Sequence, residues 1–170
     1  MRFFGALDRT LVRVYTACGY AAALFMVVLA VLILTSIISR LVGVYVAGVN
    51  TFSGYAMAAA SYLALAYTFR EKGHIRVGLL LTKLRGRRRW LAELWCLALA
   101  SLFSGYLAFY LVKMTYVSWR FEERSEGADA TLLWIPQSAM AFGAVILAVA
   151  VIHALVRVLT SGRVEEERTG

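Results

Sequence analysis

The residues of this chain that could do chemistry are few, and their spacing forms no active site. The two histidines, His74 and His153, are of a type that can ligate haem iron from facing membrane helices. His74, however, follows a glycine and lies between Lys72 and Arg76, which is a poor position for a rigid axial ligand. No serine or glycine has the context of a nucleophile–base pair or a phosphate loop. We therefore predict no catalytic residue, no metal site, no cofactor and no enzymatic activity.

The elements that carry these residues are four long apolar stretches. Residues 14–39, 41–69, 94–112 and 130–152 contain no Asp, Glu, Lys, Arg or His. A transmembrane helix needs about 20 mostly apolar residues. Lipid offers the backbone no hydrogen-bonding partners, so stretches of this length should be helical. The chain is 61% hydrophobic with a mean hydropathy of +0.72, and the fold class predicted is an all-α integral membrane protein.

The charge distribution predicts how the chain crosses the membrane. We place four transmembrane helices in one domain, residues 1–170, at about 15–38, 46–69, 91–112 and 132–156. Fourteen Lys and Arg residues then lie on one side of the membrane and four on the other. Positive charge marks the cytoplasmic side, so both termini are predicted to be cytoplasmic. This placement explains the net charge of +8. No nucleic-acid partner is expected, because that would need a soluble basic surface with aromatic platforms.

The loop after the second span has a pattern of its own. Apolar residues dominate its first half, and a basic group follows: Lys83, Arg85, Arg87, Arg88 and Arg89. This pattern predicts a short amphipathic helix over residues 74–89 on the inner face of the membrane. Each basic residue near anionic lipids is worth about 1 kcal/mol. The alternative is a plain positive-inside loop with no lipid-binding role.

No acidic residue lies at the middle of any predicted span. A carrier driven by protons or sodium normally has a carboxylate or a broken helix at that depth. The chain is therefore expected to leave ion coupling to another protein. Two alternatives are a self-sufficient small carrier, which would need the missing acid, and the membrane anchor of a respiratory enzyme, which would need haem ligands. Small residues between Ala56 and Ser61 predict a close helix contact, within this bundle or with another subunit.

One segment resembles a known family. It contains Gly73, His74, Ile75, Arg76 and Val77. This motif is similar to the segment joining helices two and three in the small permease subunits of tripartite ATP-independent periplasmic (TRAP) transporters, the DctQ type. Trp134 and Pro136, at the outer start of span four, also resemble that family, as do Gln137 and Gly143. Two departures are the absence of an acid between Asn50 and Tyr55 and the presence of Gly78 where an Asp is common.

The resemblance implies a three-part secondary transporter of the bacterial inner membrane. In such a system a periplasmic protein captures a solute, often an organic acid, and a large multi-helix permease moves it with an ion gradient. The small subunit binds the large one. This chain is thus expected to be a multi-pass scaffold for the large permease, with anionic lipids at its basic inner helix. Residues 113–130 would give the periplasmic binding protein part of its landing surface.

Overall fold

The computed structural model describes residues 2–44, 46–70, 87–126 and 130–161. Those residues form four α-helices: α1 is Arg2–Leu41, α2 is Val49–Arg70, α3 is Arg87–Arg120 and α4 is Trp134–Ser161. Within the described ranges the extended structure is one isolated β-bridge, between Arg124 and Leu132. The predicted all-α class is confirmed.

Three of these helices are long and apolar enough to cross a membrane. They are Leu11–Leu41, Trp90–Arg120 and Trp134–Thr160. The 22 residues of α2 do not reach the same hydropathy, because they include three tyrosines, four serines or threonines, an asparagine and an arginine. The structure therefore supports a membrane protein with three candidate spans among the residues it describes.

The helices form a row whose order differs from their order in the chain. In the described residues, α2 packs against both α1 and α4, and α3 packs chiefly against α4. The row is thus α1, α2, α4, α3. One buried cluster joins the first three members: Tyr15, Cys18, Ala22, Leu63, Ile146 and Ala150. A second joins the last two: Ala108, Leu111, Ala141, Ala144 and Ala148.

Small residues allow the central helices to approach closely. A Cβ atom built on Gly143 of α4 would lie 2.7 Å from the carbonyl carbon and oxygen of Tyr62 in α2. The alanines of α2 at positions 56, 59 and 60 are buried within this chain. Small side chains let helices pack at short distances in membranes. The alanines that predicted a close contact therefore make it inside this bundle.

The connection between α1 and α2 begins with a defined helix end. Gly43 has a φ of 73°, a left-handed conformation that suits glycine. The N–H of Val44 donates to the carbonyl of Ser39 at 2.9 Å, and that of Gly43 donates to the carbonyl of Arg40 at 3.3 Å. These two bonds form a Schellman motif. It ends α1 at Leu41 and turns the chain toward α2.

Candidate subunit interface

The structure describes only some of the site residues predicted from the sequence. The motif Gly73 to Val77, with Lys83 and Arg85, lies outside the described residues, as does most of the predicted amphipathic segment. Residues 87–89 form the first turn of α3, a few positions before the predicted start of span three. Trp134 is the first residue of α4 and Pro136 the third. Because α3 and α4 are antiparallel neighbours, Trp134 and the first turn of α3 lie at opposite ends of this pair.

Two charged residues that bordered the uncharged run 94–112 lie inside the candidate span of α3. Glu93 is half-buried near the N-terminal end of α3, and its Oε2 atom is buried without a hydrogen-bonding partner in the described structure. Lys113 is exposed, and its Nζ atom lies 5.9 Å from the centre of the Tyr110 ring. The helix continues to Arg120 because residues 114–119 are mostly apolar. That apolar continuation is the sequence signal for a longer span.

The outward face of α3 is rich in aromatic residues. Its exposed aromatic side chains are Trp95, Phe103, Tyr106, Phe109, Tyr110, Tyr116 and Trp119. Tyr106, Tyr110 and Lys113 stand at i, i+4 and i+7, a spacing that places them on one face of a helix. The rings of the two tyrosines have centroids 4.5 Å apart. We call these three residues the polar stripe of α3.

The polar stripe lies at an unusual depth for polar side chains. Tyr106 is 62% exposed and stands at the middle of Trp90–Arg120. Tyrosines of membrane proteins concentrate at the interfaces with water, and a hydroxyl without an acceptor in hydrocarbon costs several kcal/mol. The rings of Tyr106 and Tyr110 are near enough for their hydroxyl groups to interact with one another. Each hydroxyl has one O–H donor, so acceptors on a neighbouring protein would stabilise both side chains at this depth.

The other end of the row presents a different surface. From Leu24 to Leu41, the large hydrophobic side chains that α1 exposes are all aliphatic or methionine. Tyr20, the exposed tyrosine of α1, lies nearer the N-terminal end of the helix. Lipid tails are as apolar as leucine, so they cover such a face without leaving a polar group unsatisfied. The α1 end of the row therefore suits lipid, whereas the α3 end presents hydrogen-bond donors.

The turn between α3 and α4 contains a short hydrogen bond. Ser118 is only 1% exposed, and its Oγ donates to Oε2 of Glu123 at 2.6 Å. Across the turn, the N–H of Ser125 donates to the carbonyl of Thr131, and that of Leu133 donates to the carbonyl of Glu123. These bonds pair residues 123–125 with residues 131–133 in a small hairpin whose described part carries exposed charged residues.

Replacing Ser118 by Ala is expected to loosen this hairpin. The change removes a hydrogen bond to a charged group, and because Glu123 is exposed we expect a local cost of about 1 kcal/mol. Amide hydrogen exchange at Ser125 and Leu133 should then rise by roughly fivefold. Glu122→Gln, at another exposed acid of the same turn, is the matched control and should leave exchange unchanged. Equal protection in Ser118→Ala and the parent protein would contradict the role of this bond.

The comparison with protein families gives one clear match. The family model for the DctQ component of tripartite ATP-independent periplasmic transporters matches residues 29–161. The match runs from within α1 to the last residue of α4, which is well over half of the chain. Comparisons with curated proteins and with solved structures found no match. The chain therefore belongs to the DctQ family, the small membrane component of TRAP transporters.

Proposed function

We propose that this subunit braces the large permease of its transporter in the bacterial inner membrane. DctQ components work in a tripartite complex with a large permease and a periplasmic solute-binding protein. The observation that carries the proposal is the contrast between the two ends of the helix row. The α1 end is aliphatic, and the α3 end has a tyrosine at mid-span and a lysine on the same face.

The polar stripe of α3 is suited to a protein neighbour in the membrane. Its two phenols and one ammonium are rich in donors. A complementary surface would present acceptors, such as backbone carbonyls of a broken helix or polar side chains. Transporter helices that line substrate and ion sites supply such groups. The large permease is the membrane partner that the family provides, so its fixed part would cover this face.

We further propose that α2 also spans the membrane, which gives four spans with both termini in the cytoplasm. A helix of 22 residues is about 33 Å long, enough for a hydrocarbon core of about 30 Å. Its modest hydropathy is tolerable because α1 and α4 cover it on two sides. The excess of Lys and Arg at the termini and in the loop after α2 supports the orientation.

The positions of the charged groups indicate which subunit couples transport to the ion gradient. Glu93, the carboxylate within the described candidate spans, is at the inner end of α3 rather than at mid-membrane. Ion coupling would therefore belong to the large permease, which would use an ion gradient to import a small solute such as an organic acid. The turn between α3 and α4 would face the periplasm in this orientation and form part of the landing surface for the binding protein. The basic residues Lys83, Arg85 and Arg87 to Arg89 would hold the inner face on anionic lipids.

Reconstitution into proteoliposomes tests this function. Vesicles with the large permease, this subunit and the binding protein should accumulate solute when an ion gradient is applied. Vesicles with this subunit alone should show no uptake above protein-free vesicles. Vesicles with the large permease and the binding protein but without this subunit should lose most of the activity. Accumulation by this subunit alone, or full activity without it, would overturn the proposal.

A further inference from the structure

A groove opens between α1 and α2 near the Schellman motif. Its volume is about 210 Å³, and its lining residues are Ile33, Ser36, Ile37, Arg40, Asn50 and Ser53. Four of these six are polar, and Arg40 is the single charged residue between positions 14 and 69. The groove lies on the side of the row away from α3. It is therefore separate from the face that we assign to the large permease.

The free hydrogen-bond donors on the polar wall of the groove belong to Arg40 and Asn50. The Oγ of Ser36 donates to Oδ1 of Asn50 at 3.2 Å, and the amide NH₂ of Asn50 is left as a donor. The Oγ of Ser53 donates to the carbonyl of Val49, so this hydroxyl has no further proton to donate. Asn50 belongs to the first turn of α2, where N–H groups lack intrahelical acceptors and the helix dipole is positive.

No acidic residue is among the described residues that line the groove. Arg40 stands in the last turn of α1, and the first turn of α2 contains no acidic residue. No Asp or Glu occurs anywhere between positions 14 and 69. A guanidinium presents several N–H donors in a planar fork that matches the oxygens of a phosphate. An anionic group with oxygen acceptors is thus the chemistry that this wall recognises.

Below the donors the groove becomes aliphatic. Ile37 and Ile33 lie one and two turns before Arg40, and both are about half exposed. Leu34 is exposed beside them. A free inorganic phosphate would leave this wall uncovered, whereas an acyl chain would cover it and gain about 25 cal/mol for each Å² of apolar surface removed from water. The groove therefore combines a site for a phosphate with a wall for a hydrocarbon chain.

We propose that this groove binds an anionic phospholipid of the phosphatidylglycerol type. Arg40 and the amide of Asn50 hold its phosphodiester, and one acyl chain runs along Ile33 and Ile37. A headgroup without an amine fits best, because the groove contains no carboxylate to receive an ammonium group. With the orientation proposed above, this lipid would belong to the outer leaflet. The recognition of its phosphate does not depend on that orientation.

Native mass spectrometry of the full chain in detergent tests the site. With added phosphatidylglycerol, the parent protein should retain one lipid that resists collisional activation. Arg40→Gln should weaken that binding by at least about tenfold, since a charge-assisted hydrogen bond is lost. Arg120→Gln is the matched control, because Arg120 is the exposed arginine in the last turn of α3. It should bind like the parent. Asn50→Leu, which keeps the charge, should cause a smaller loss.

Any of four results would overturn the assignment. If Arg40→Gln bound lipid as well as the parent, the groove would not be the binding site. The same would follow if Arg120→Gln lost as much lipid binding as Arg40→Gln. Competition by millimolar inorganic phosphate would indicate a site for the free anion. Equal retention of phosphatidylethanolamine would contradict the preference for a headgroup without an amine. The binding assay needs no transport, so it tests the lipid site separately from the proposed function. If the subunit failed the uptake test but still bound lipid through Arg40, only the scaffold function would be refuted.

Discussion

We expect the subunit to lose most of its affinity for the large permease when Tyr106, Tyr110 and Lys113 are all replaced by leucine. The variant should remain folded in the membrane. Leucine removes every donor of the polar stripe and leaves a face that lipid can cover. Interhelical hydrogen bonds in membranes contribute about 0.6 to 1.7 kcal/mol each. Loss of three contacts should therefore raise the dissociation constant of the complex by roughly 20-fold or more.

Affinity purification through the large permease, followed by titration in nanodiscs, measures this effect. The control variant changes three exposed residues at the opposite end of the row, Val27, Val31 and Ile38, to alanine. It should retain the large permease. Tyr106→Phe and Tyr110→Phe keep the rings and remove only the hydroxyls, so each should cause a partial loss. Unchanged affinity in the triple variant, or an equal loss in the α1 control, would show that α3 is not the docking face.

The second large effect is expected for Gly143→Ala. The added methyl group would lie 2.7 Å from the backbone of Tyr62, and a backbone carbonyl cannot move aside as a flexible side chain can. Forcing an extra carbon into a packed core costs about 1–3 kcal/mol and sometimes more. The contact joins α2 to α4 at the centre of the row, so its loss should lower the thermal stability of the whole subunit by several degrees.

Thermal unfolding in detergent, followed by circular dichroism or by size-exclusion of heated samples, measures this loss. Gly105→Ala is the matched control: Gly105 is also within a helix, and no neighbouring side chain or helix lies within 4 Å of the position that its new methyl group would take. That change should stabilise slightly, because glycine within a helix costs about 0.5–1 kcal/mol relative to alanine. A Gly143→Ala protein as stable as Gly105→Ala would show that the central helices can separate without cost.

The helical class could be predicted from the sequence because charged residues are so sharply excluded from the apolar stretches. The order of the helices could not, since apolar periodicity says where a helix is and not which neighbour it chooses. The alanines of α2 predict a close contact but leave its partner open. In the structure those alanines are buried within the bundle, and just after them the backbone of Tyr62 lies against Gly143 of α4.

The two candidate sites escape prediction from the sequence for one shared reason. In the sequence, Lys113 and Arg40 are the charged residues at which apolar runs end. That position does not indicate that either residue forms part of a binding surface. In the structure, α3 continues past Lys113 and aligns it with Tyr106 and Tyr110. Arg40 likewise lies beside Asn50, ten positions away, because the turn after α1 brings α2 back alongside it. Both arrangements depend on the helix ends, which a run of uncharged residues does not define.

The order of the row also has a consequence for biogenesis. Of the four described helices, α4 is translated last, yet it occupies a central place and contributes residues to both buried clusters. A nascent chain that has emerged only as far as α3 holds a hairpin of α1 and α2 and a third helix whose main contacts in the bundle are with α4. The bundle can therefore close only after α4 has been synthesised.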